Sequence, residues 1–393
     1  MTRSQASNGP VPRGFPPTEY QTRLARAQTM MAQAGLSALM LSTEPEVRYF
    51  TGYLTRFWES PTRPWFLVVP AQGDPVAVIP SIGASLMGQT WISDIRSWSA
   101  PDLRDDGVSL LADTLAEVAG SGGLIGIPSG HESHLRMPLA DFARLRSALS
   151  DQSLTDDAGI MHRLRLVKSP AEIAKIRQAC AIAGRAFARV PEIAQAGTPL
   201  DHVFRRFQIL CLEEGADFVP YLAGGAGPDG YGDVISPATQ TPLETGDILM
   251  LDTGLVWDGY FCDFDRNFAV GAPSACATSA YTRLMEATEA GLQAARPGNT
   301  AADIFHAMDA ITTGGAGGSD AGRLGHGLGM QLTEGLSFIA GDTTAIEPGM
   351  VLTLEPGVET REGRIMVHEE DIVITETGAE FLSPRAGPAL PVI

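Results

Sequence analysis

The chain lacks the cysteine pattern of a structural zinc site or of a disulfide-bonded domain. Four cysteines occur in 393 residues, and they are Cys180, Cys211, Cys262 and Cys276. No two of them form a CxxC pair, so their spacing indicates neither a zinc knuckle nor a disulfide framework. We therefore expect no site built on thiolate ligands, and we interpret Cys262 as a core residue.

The sequence also lacks a long apolar run and an excess of positive charge. No segment reaches the roughly 20 consecutive apolar residues that span a bilayer, and the opening MTRSQASNGPVPRGFPP has no apolar signal-peptide core. Lys and Arg total 28 against 46 Asp and Glu, a net charge of −18. This balance disfavours nucleic acid and anionic membranes as partners. We expect a cytoplasmic protein.

The second half of the chain does contain five potential metal ligands in short, distinctive segments. They are Asp252 and Asp263 in LDTGLVWDGYFCDFDR, His326 in GHGLG, Glu355 in TLEPG and Glu369 in VHEED. Four carboxylates and one imidazole are hard oxygen donors with a single nitrogen, a set that suits Mn, Co, Fe or Zn. We expect two divalent ions, which at close distance can share a bridging hydroxide.

The two aspartates lie on a predicted β-hairpin. The apolar run ILMLDTG precedes the turn signal Asp258–Gly259, and YFCDFDRNFAV follows it. A two-residue turn would place Asp252 opposite Asp265. Because side chains alternate along a strand, Asp252, Asp263 and Asp265 would share one face. The alternative is a solvated sheet edge, and the apolar strands around these acids argue against it.

The remaining pattern predicts two domains. Short apolar strands alternate with helices in the first part, which indicates an α/β domain over residues 15–160. The segment Ser169–Glu172 is a capping box with proline at the first helical position, and it opens the second domain, residues 161–393. Helices and hairpins mix less regularly there, which favours an α+β domain. The glycine-rich GGAGGSDAGRLGHGLG has no lysine-serine ending, so we reject a P-loop.

The five ligand segments, in this order and with eleven positions from Asp252 to Asp263, resemble the pita-bread metallopeptidase family. This family includes methionine aminopeptidase, aminopeptidase P, prolidase and creatinase-like enzymes. RYFTGY with FLVVPAQGDPVAVIP resembles the creatinase-type N-terminal domain, and RLRLVKSPAEIAKIRQA resembles the helix that opens the pita-bread catalytic domain. The resemblance implies that Asp263 and Glu369 bridge two metals, that Asp252 completes one, and that His326 and Glu355 complete the other.

The chain departs from the family outside the metal ligands. The histidine seven residues after the GHG histidine is replaced by Thr333, which Glu334 follows. The family histidine before the first aspartate is also missing, and its position falls near Ile235. An arginine often found two residues before the last glutamate is here Val367. The metal ligands are complete, whereas the residues that contact substrate in family peptidases are not.

Two further residues beside the ligands are expected to have structural roles. Arg266, three residues after Asp263, should pair with a carboxylate rather than bind substrate. His368 should face away from Glu369, since neighbouring side chains alternate along a strand.

Our leading hypothesis is a dinuclear metal-dependent hydrolase similar to Xaa-Pro dipeptidase or aminopeptidase P, which cleaves a peptide or a small amide bond. Glu355 would take and return the proton, Asp265 would contact a metal-bound water or a substrate cation, and Thr333 would line the site. The second hypothesis is a non-peptidase member, such as a dimethylsulfoniopropionate lyase or a creatine or ectoine hydrolase. A non-catalytic binding protein is a third, and the complete ligand set argues against it.

The segment Tyr53–Glu59 carries aromatic and charged residues in a predicted loop. In creatinase and prolidase relatives the N-terminal domain of one subunit leans over the active site of its partner, so the resemblance implies a homodimer. Arg56 or Arg63 would then hold the carboxylate of a dipeptide or another small substrate, with Trp58 packed on its apolar part. Ordinary core packing of Phe57 and Trp58 is the alternative.

Overall fold

The computed structural model describes residues 10–60, 63–317 and 322–393. Contacts within the chain divide it into two compact units, Pro12–Leu164 and Arg165–Ile393. Each unit has a hydrophobic core of its own. None of the helices in the described ranges combines the length and the hydropathy that a bilayer-spanning segment requires.

The N-terminal unit is an α/β domain built on one six-stranded sheet. Its elements are α1 (Pro17–Ala34), β1 (Ala38–Leu41), α2 (Glu44–Thr51), β2 (Phe66–Pro70), β3 (Val76–Pro80), α3 (Ala84–Met87), β4 (Asp94–Trp98), α4 (Val108–Ala119), β5 (Leu124–Ile127), α5 (Leu139–Ala148) and β6 (Ser153–Asp156). The strand order is β4-β3-β2-β1-β5-β6. Strands β1, β2 and β3 pair antiparallel, and the outer pairs are parallel. Met40, Phe66 and Val78 on the central strands pack against Leu111 and Leu115 of α4.

The C-terminal unit is an α+β domain with antiparallel sheets, as the sequence predicts. The connecting helix α6 (Ile160–Leu166) leads into α7 (Pro170–Ala188), α8 (Leu200–Glu213), β7 (Phe218–Pro228), β8 (Asp247–Trp257), β9 (Tyr260–Phe261), β10 (Phe264–Ala269), α9 (Ala275–Ala294), α10 (Ala301–Thr312), β11 (Val351–Leu354), β12 (Gly357–Arg361), β13 (Arg364–Val367), β14 (Glu370–Ile374) and β15 (Ala379–Phe381). The strands form the sheets β10-β8-β7, with β9 also on β8, then β11-β14-β15 and β12-β13. Helices α9 and α10 cover these sheets with apolar side chains.

Helix α7 begins where its capping residues predict. The backbone N–H of Glu172 donates to Ser169 Oγ over 3.3 Å, and the N–H of Ser169 donates to Glu172 Oε2 over 2.9 Å. Pro170 occupies the first turn, where a missing N–H costs nothing. Cys180 and Phe187 on the inner face are buried.

The β8–β9 hairpin has the predicted register. Trp257 pairs with Tyr260 across a two-residue turn, and the turn residues Asp258 and Gly259 have φ angles of 47° and 81°. Positive φ at both positions is the geometry of a type I′ turn, which glycine adopts without strain. The same register continues into β10 and sets Asp252 opposite Asp265. Strand β8 is buried along its whole length, which excludes the alternative of a solvated sheet edge.

Candidate metal centre

Three of the predicted ligands converge in the C-terminal unit. One ligand atom from each of Asp263, His326 and Glu369 lies within 4.8 Å of the other two, and all three residues are buried. His326 Nε2 lies 3.4 Å from Asp263 Oδ2. These side chains come from separate stretches of sequence, and the folded sheets bring them together.

Two of the ligands, Asp263 and Glu369, each lie immediately before a strand. Asp263 immediately precedes β10, and its backbone N–H donates to Asp371 Oδ2 over 3.0 Å. Glu369 immediately precedes β14, and its N–H donates to Asp265 Oδ1 over 3.0 Å. Each ligand backbone is thus fixed by a carboxylate from the neighbouring segment.

Two contacts with backbone groups hold His326, one at its carbonyl and one at its ring. The N–H of Thr353 donates to the His326 carbonyl over 2.7 Å, and the ring Nδ1 lies 2.9 Å from the Gly327 carbonyl. This contact assigns the Nδ1 proton and leaves the Nε2 lone pair facing Asp263. Burial and the charge of Arg323 lower the pKa of His326 to about 3, so the imidazole is neutral.

Asp252 and Glu355 lie close enough to the other ligands for their charges to interact. Burial, Asp265 and Glu355 raise the pKa of Asp252 well above its usual range. Burial and Asp252 do the same for the pKa of Asp263. Desolvation raises the pKa of Glu355 to about 7, against the opposing charge of Arg323. Five acidic or imidazole groups therefore share one desolvated region.

The residues fit divalent cations. Asp252 Oδ1, Asp263 Oδ1 and Glu369 Oε1 are buried oxygens that have no hydrogen-bond partner among the described residues. An unpaired buried carboxylate is very costly, because nothing replaces its lost hydration. Hard oxygen donors with one imidazole are the ligands that Mn, Co, Fe and Zn accept. Bound cations would satisfy these three oxygens together.

Charged side chains that are not ligands contact one another around the backbone of Glu369. His368 lies between two carboxylates, with Nδ1 3.3 Å from Asp265 Oδ1 and Nε2 3.3 Å from Glu370 Oε1. Burial opposes the charged imidazole, but these carboxylates outweigh it and raise the pKa of His368. Arg266 pairs with Glu370 at 2.9 Å, the structural contact expected of it. Asp265, also fully buried, keeps its Oδ2 without a partner.

Three residues near the ligands carried no signal in the sequence. The Tyr221 phenol hydrogen-bonds Asp252, and burial with the Asp252 charge raises the pKa of Tyr221 above its usual range. Asp371 accepts the N–H of Asp263, and desolvation raises its pKa to about 7. Arg323 donates to Thr333 Oγ1 over 3.1 Å. All three depend on pairings between distant segments, which local spacing does not reveal.

The positions that depart from the family have structural partners of their own. Thr333 accepts the Arg323 bond, and Glu334 forms a buried ion pair with Lys168 at 3.0 Å and a second with Arg165. Ile235, near the other missing histidine, is 81% exposed. Val367 lies on β13.

The residues predicted to bind substrate from the loop lie in the N-terminal unit. The Arg56 guanidinium pairs with exposed Glu59 at 2.8 Å. Trp58 is 8% exposed and packs on Trp65 with ring centroids 5.9 Å apart. The Arg63 guanidinium carbon lies 5.2 Å from the centroid of the Phe57 ring. Trp58 thus has the core packing weighed as the alternative, and substrate binding by this loop stays a prediction.

Comparison with known proteins identifies the family of both units. Residues 174–376 match the sequence model of metallopeptidase family M24, and residues 23–167 match that of the creatinase/prolidase N-terminal domain. A probable dipeptidase, PepE of Mycobacterium tuberculosis, is 31% identical over 93% of this chain and 95% of its own. A Xaa-Pro dipeptidase of Pyrococcus furiosus is 29% identical over 65% of this chain and 73% of its own.

A solved structure and a relative with another named activity extend the comparison. The crystal structure of dipeptidase PepE from Mycobacterium ulcerans superposes with a TM-score of 0.83 at 28% identity, over 97% of this chain and 99% of that one. An agropine synthesis cyclase of Rhizobium rhizogenes is 28% identical over 93% of this chain and 96% of its own. The predicted family and fold class are confirmed. With its ligand segments, hairpin register and two domains accounted for, the chain belongs to metallopeptidase family M24, in the branch that carries a creatinase/prolidase N-terminal domain.

Proposed function

We propose that this protein is a dinuclear metal-dependent hydrolase that cleaves the amide bond of a dipeptide or a similarly small substrate. The observation that carries the proposal is the set of unpartnered buried oxygens on Asp252, Asp263 and Glu369 beside a neutral imidazole. Such oxygens are stabilised by cations, and the family and its dipeptidase relatives support hydrolysis as the chemistry.

The five ligands divide between two ions in our proposal. Asp263 and Glu369 would bridge, Asp252 would complete one site, and His326 with Glu355 would complete the other. Two divalent ions, Mn, Co, Fe or Zn, would supply Lewis-acid chemistry that activates water and polarises a carbonyl. His326 contributes its Nε2 lone pair, since Nδ1 is engaged with the Gly327 carbonyl.

The protein groups around the ligands orient them and move the proton. Tyr221 donates to Asp252 and so directs which oxygen of that carboxylate faces the centre. Asp265 holds the Glu369 backbone through its N–H. We assign the transfer of a proton from water to the leaving amine to Glu355, whose charge acts on Asp252, Asp263 and Glu369 together.

Metal content and turnover test this function together. Elemental analysis of protein purified with Mn or Co should find about two ions per chain. Asp252→Ala and His326→Ala should each lose at least one, because too few donors remain. His306→Ala, at an exposed histidine of α10, is the matched control and should lose none. Absence of bound metal in the wild type, with no hydrolysis of Xaa-Pro dipeptides or small amides, would sink the proposal.

A second candidate function is a reaction of a small polar metabolite at the same centre. Two observations favour it. The two family histidines that contact substrate are missing here, at Thr333 and near Ile235, and one relative is named as a cyclase. Loss of one oxyanion donor typically costs on the order of 100-fold in rate. Slow cleavage of every dipeptide, alongside fast turnover of another small amide or ester, would favour this candidate over the first.

A further inference from the structure

Arg323 is a cationic side chain beside the carboxylate-rich centre, and it forms no ion pair with an acid of the described residues. It lies three residues before His326 and is half-buried. Within the described ranges its guanidinium makes one hydrogen bond, from Nη2 to Thr333 Oγ1 over 3.1 Å, and no carboxylate oxygen lies within ion-pair distance. Burial raises the pKa of both Asp263 and Glu355, and the charge of Arg323 opposes that rise. The guanidinium also bonds Thr333, next to Glu334, whose N–H donates to the carbonyl of Gly327 beside His326.

The partner of Arg323 is held in place by a rigid backbone. The segment containing Thr333 pairs with the segment containing His326, since the N–H of Gly327 donates to the Leu336 carbonyl and the N–H of Glu334 to the Gly327 carbonyl, over 3.0 and 2.8 Å. The adjacent Glu334 side chain is fixed by a buried ion pair with Lys168. Thr333 is therefore a pre-organised acceptor that orients the guanidinium.

The charge balance of the centre leaves a need for one more cation. Two divalent ions would offset the four ligand carboxylates and leave no positive charge for an anionic substrate group. A guanidinium has five N–H donors in a planar fork that matches a carboxylate. Thr333 occupies one of them. The other N–H groups can donate to both oxygens of a carboxylate.

We propose that Arg323, oriented by Thr333, binds the free carboxylate of the substrate and so makes the enzyme select small substrates that end in a carboxylate. This inference rests on the proposed function, in which the substrate is a dipeptide. It also gives a reason for the short side chain at Thr333, which leaves space for the arginine. The residue is a specificity determinant and takes no part in the bond cleavage.

Paired substrates test the inference. Dipeptides are compared with their C-terminal amides in wild type, Arg323→Gln and Arg323→Lys, each loaded with the metal that supports turnover. Arg323→Gln should raise KM for the free dipeptide about 10- to 100-fold, as expected for a lost charge-assisted hydrogen bond, and should leave KM for the amide unchanged. Arg323→Lys should lie between, since lysine keeps the charge and loses the fork.

Control variants separate orientation from general damage. Thr333→Val keeps the side-chain volume and removes the acceptor, so it should raise KM for the free dipeptide by a smaller factor. Arg177→Gln removes a surface arginine that pairs with Glu380, and it should change neither KM nor metal content. Equal loss of kcat on dipeptide and amide in Arg323→Gln, with KM unchanged, would assign the residue to the reaction itself and overturn the inference.

A binding measurement keeps the inference testable if no dipeptide is cleaved. Calorimetry with L-proline, a product-sized amino acid, is performed on metal-loaded wild type and Arg323→Gln after metal content is matched. We expect affinity to fall about 10-fold or more in the variant. Equal affinities, or no binding by the wild type, would refute the assignment of Arg323. Absence of dipeptide turnover together with a loss of binding would instead reject only the proposed function.

Discussion

At the scale of single residues, the buried charges fall into two kinds. Asp252, Asp263 and Glu369 each keep one buried oxygen that has no hydrogen-bond partner among the described residues. Glu334, in contrast, has two cationic partners, Arg165 and Lys168. The first kind destabilises the fold until a ligand binds. The second kind holds the loop next to the centre in place. Both kinds of charge are buried, so the presence or absence of a cationic partner decides their effect on stability.

Replacement of Glu334 should be costly and pH-dependent. Burial opposes its ionisation, but Arg165 and Lys168 outweigh burial and lower its pKa from 4.5 to about 2. Because the folded-state pKa lies below the unfolded one, the stabilisation is complete above pH 4.5 and is lost as pH falls toward 2. Glu334→Gln should therefore lose about 3 kcal/mol near pH 7.

Denaturant titrations at several pH values measure this difference. The difference in free energy of unfolding between wild type and Glu334→Gln should narrow as the pH falls from 4.5 toward 2. Glu380→Gln, which breaks an ion pair at a 56%-exposed side chain, is the control and should cost no more than about 1 kcal/mol. A difference in stability that stays the same at all pH values would show that the ion pairs of Glu334 are not its cause.

Asp265 should act on the metal centre through Glu369. Its Oδ1 accepts the Glu369 N–H and lies beside His368. Asp265→Thr removes that acceptor and leaves His368 with one carboxylate neighbour, so we expect weaker metal binding by about 10- to 100-fold, typical for the loss of a group that orients a ligand. Competition with a chelator measures it. Unchanged metal affinity and unchanged kinetics would show that Asp265 has no such role.

At the scale of elements, His326 depends on the close approach of two backbone segments. Gly325 has a φ of 141°, and a Cβ there would lie 2.2 Å from the Thr353 carbonyl oxygen and 2.6 Å from the Phe338 ring. Glycine is required, because any side chain would force the loop away from β11. The ligand position is thus set by the backbone rather than by the imidazole.

Gly325→Ala should therefore reduce metal binding without removing any ligand. We expect a loss of stability of about 2 kcal/mol or more from strain and steric overlap, together with lower metal occupancy. Gly322→Ala is the matched control, since Gly322 also has a positive φ of 89°, but no atom of the described residues lies within 4 Å of the added Cβ. Full metal occupancy in Gly325→Ala would show that the loop adjusts freely.

The elements also show where sequence reasoning succeeds. The β8–β9 hairpin was predictable because a two-residue turn signal determines register locally, and Asp252 does face Asp265. The capping box of α7 is equally local. Tyr221 was not predictable, since it reaches Asp252 only through the pairing of β7 with β8, some 30 residues apart in sequence. Arg323 and Glu334 were missed for the same reason: their partners are chosen by tertiary contacts.

At the scale of the whole molecule, the loop Tyr53–Glu59 of the N-terminal unit is the segment that we expect to contact a partner subunit. We predict that this loop completes the active site of a partner subunit in a homodimer, since the paired side chains of Arg56 and Glu59 are 56% and 75% exposed and are accessible to a second copy of the chain. Trp58 should be left intact in this experiment, because it is packed against Trp65 and its loss would damage the core.

Subunit mixing tests the shared site. His326→Ala and Arg56→Ala would each be weakly active alone, and mixed dimers should recover part of the activity because one of their two sites has both halves intact. Re-mixing each variant with itself is the control. A fully active monomer, or no recovery after proven subunit exchange, would reject the shared site.

The dispersal of the five ligands over separate segments, from Asp252 to Glu369, has a kinetic consequence. The two proposed ions would engage their full ligand sets only after the β8–β10 and β11–β14 pairings exist, so most of their binding energy would be absent from the folding transition state. Metal should then leave the refolding rate nearly constant and slow the unfolding rate by the full factor of its binding. Metal would bind after the chain has folded. Loss of metal would therefore shorten the lifetime of the native state without slowing its formation.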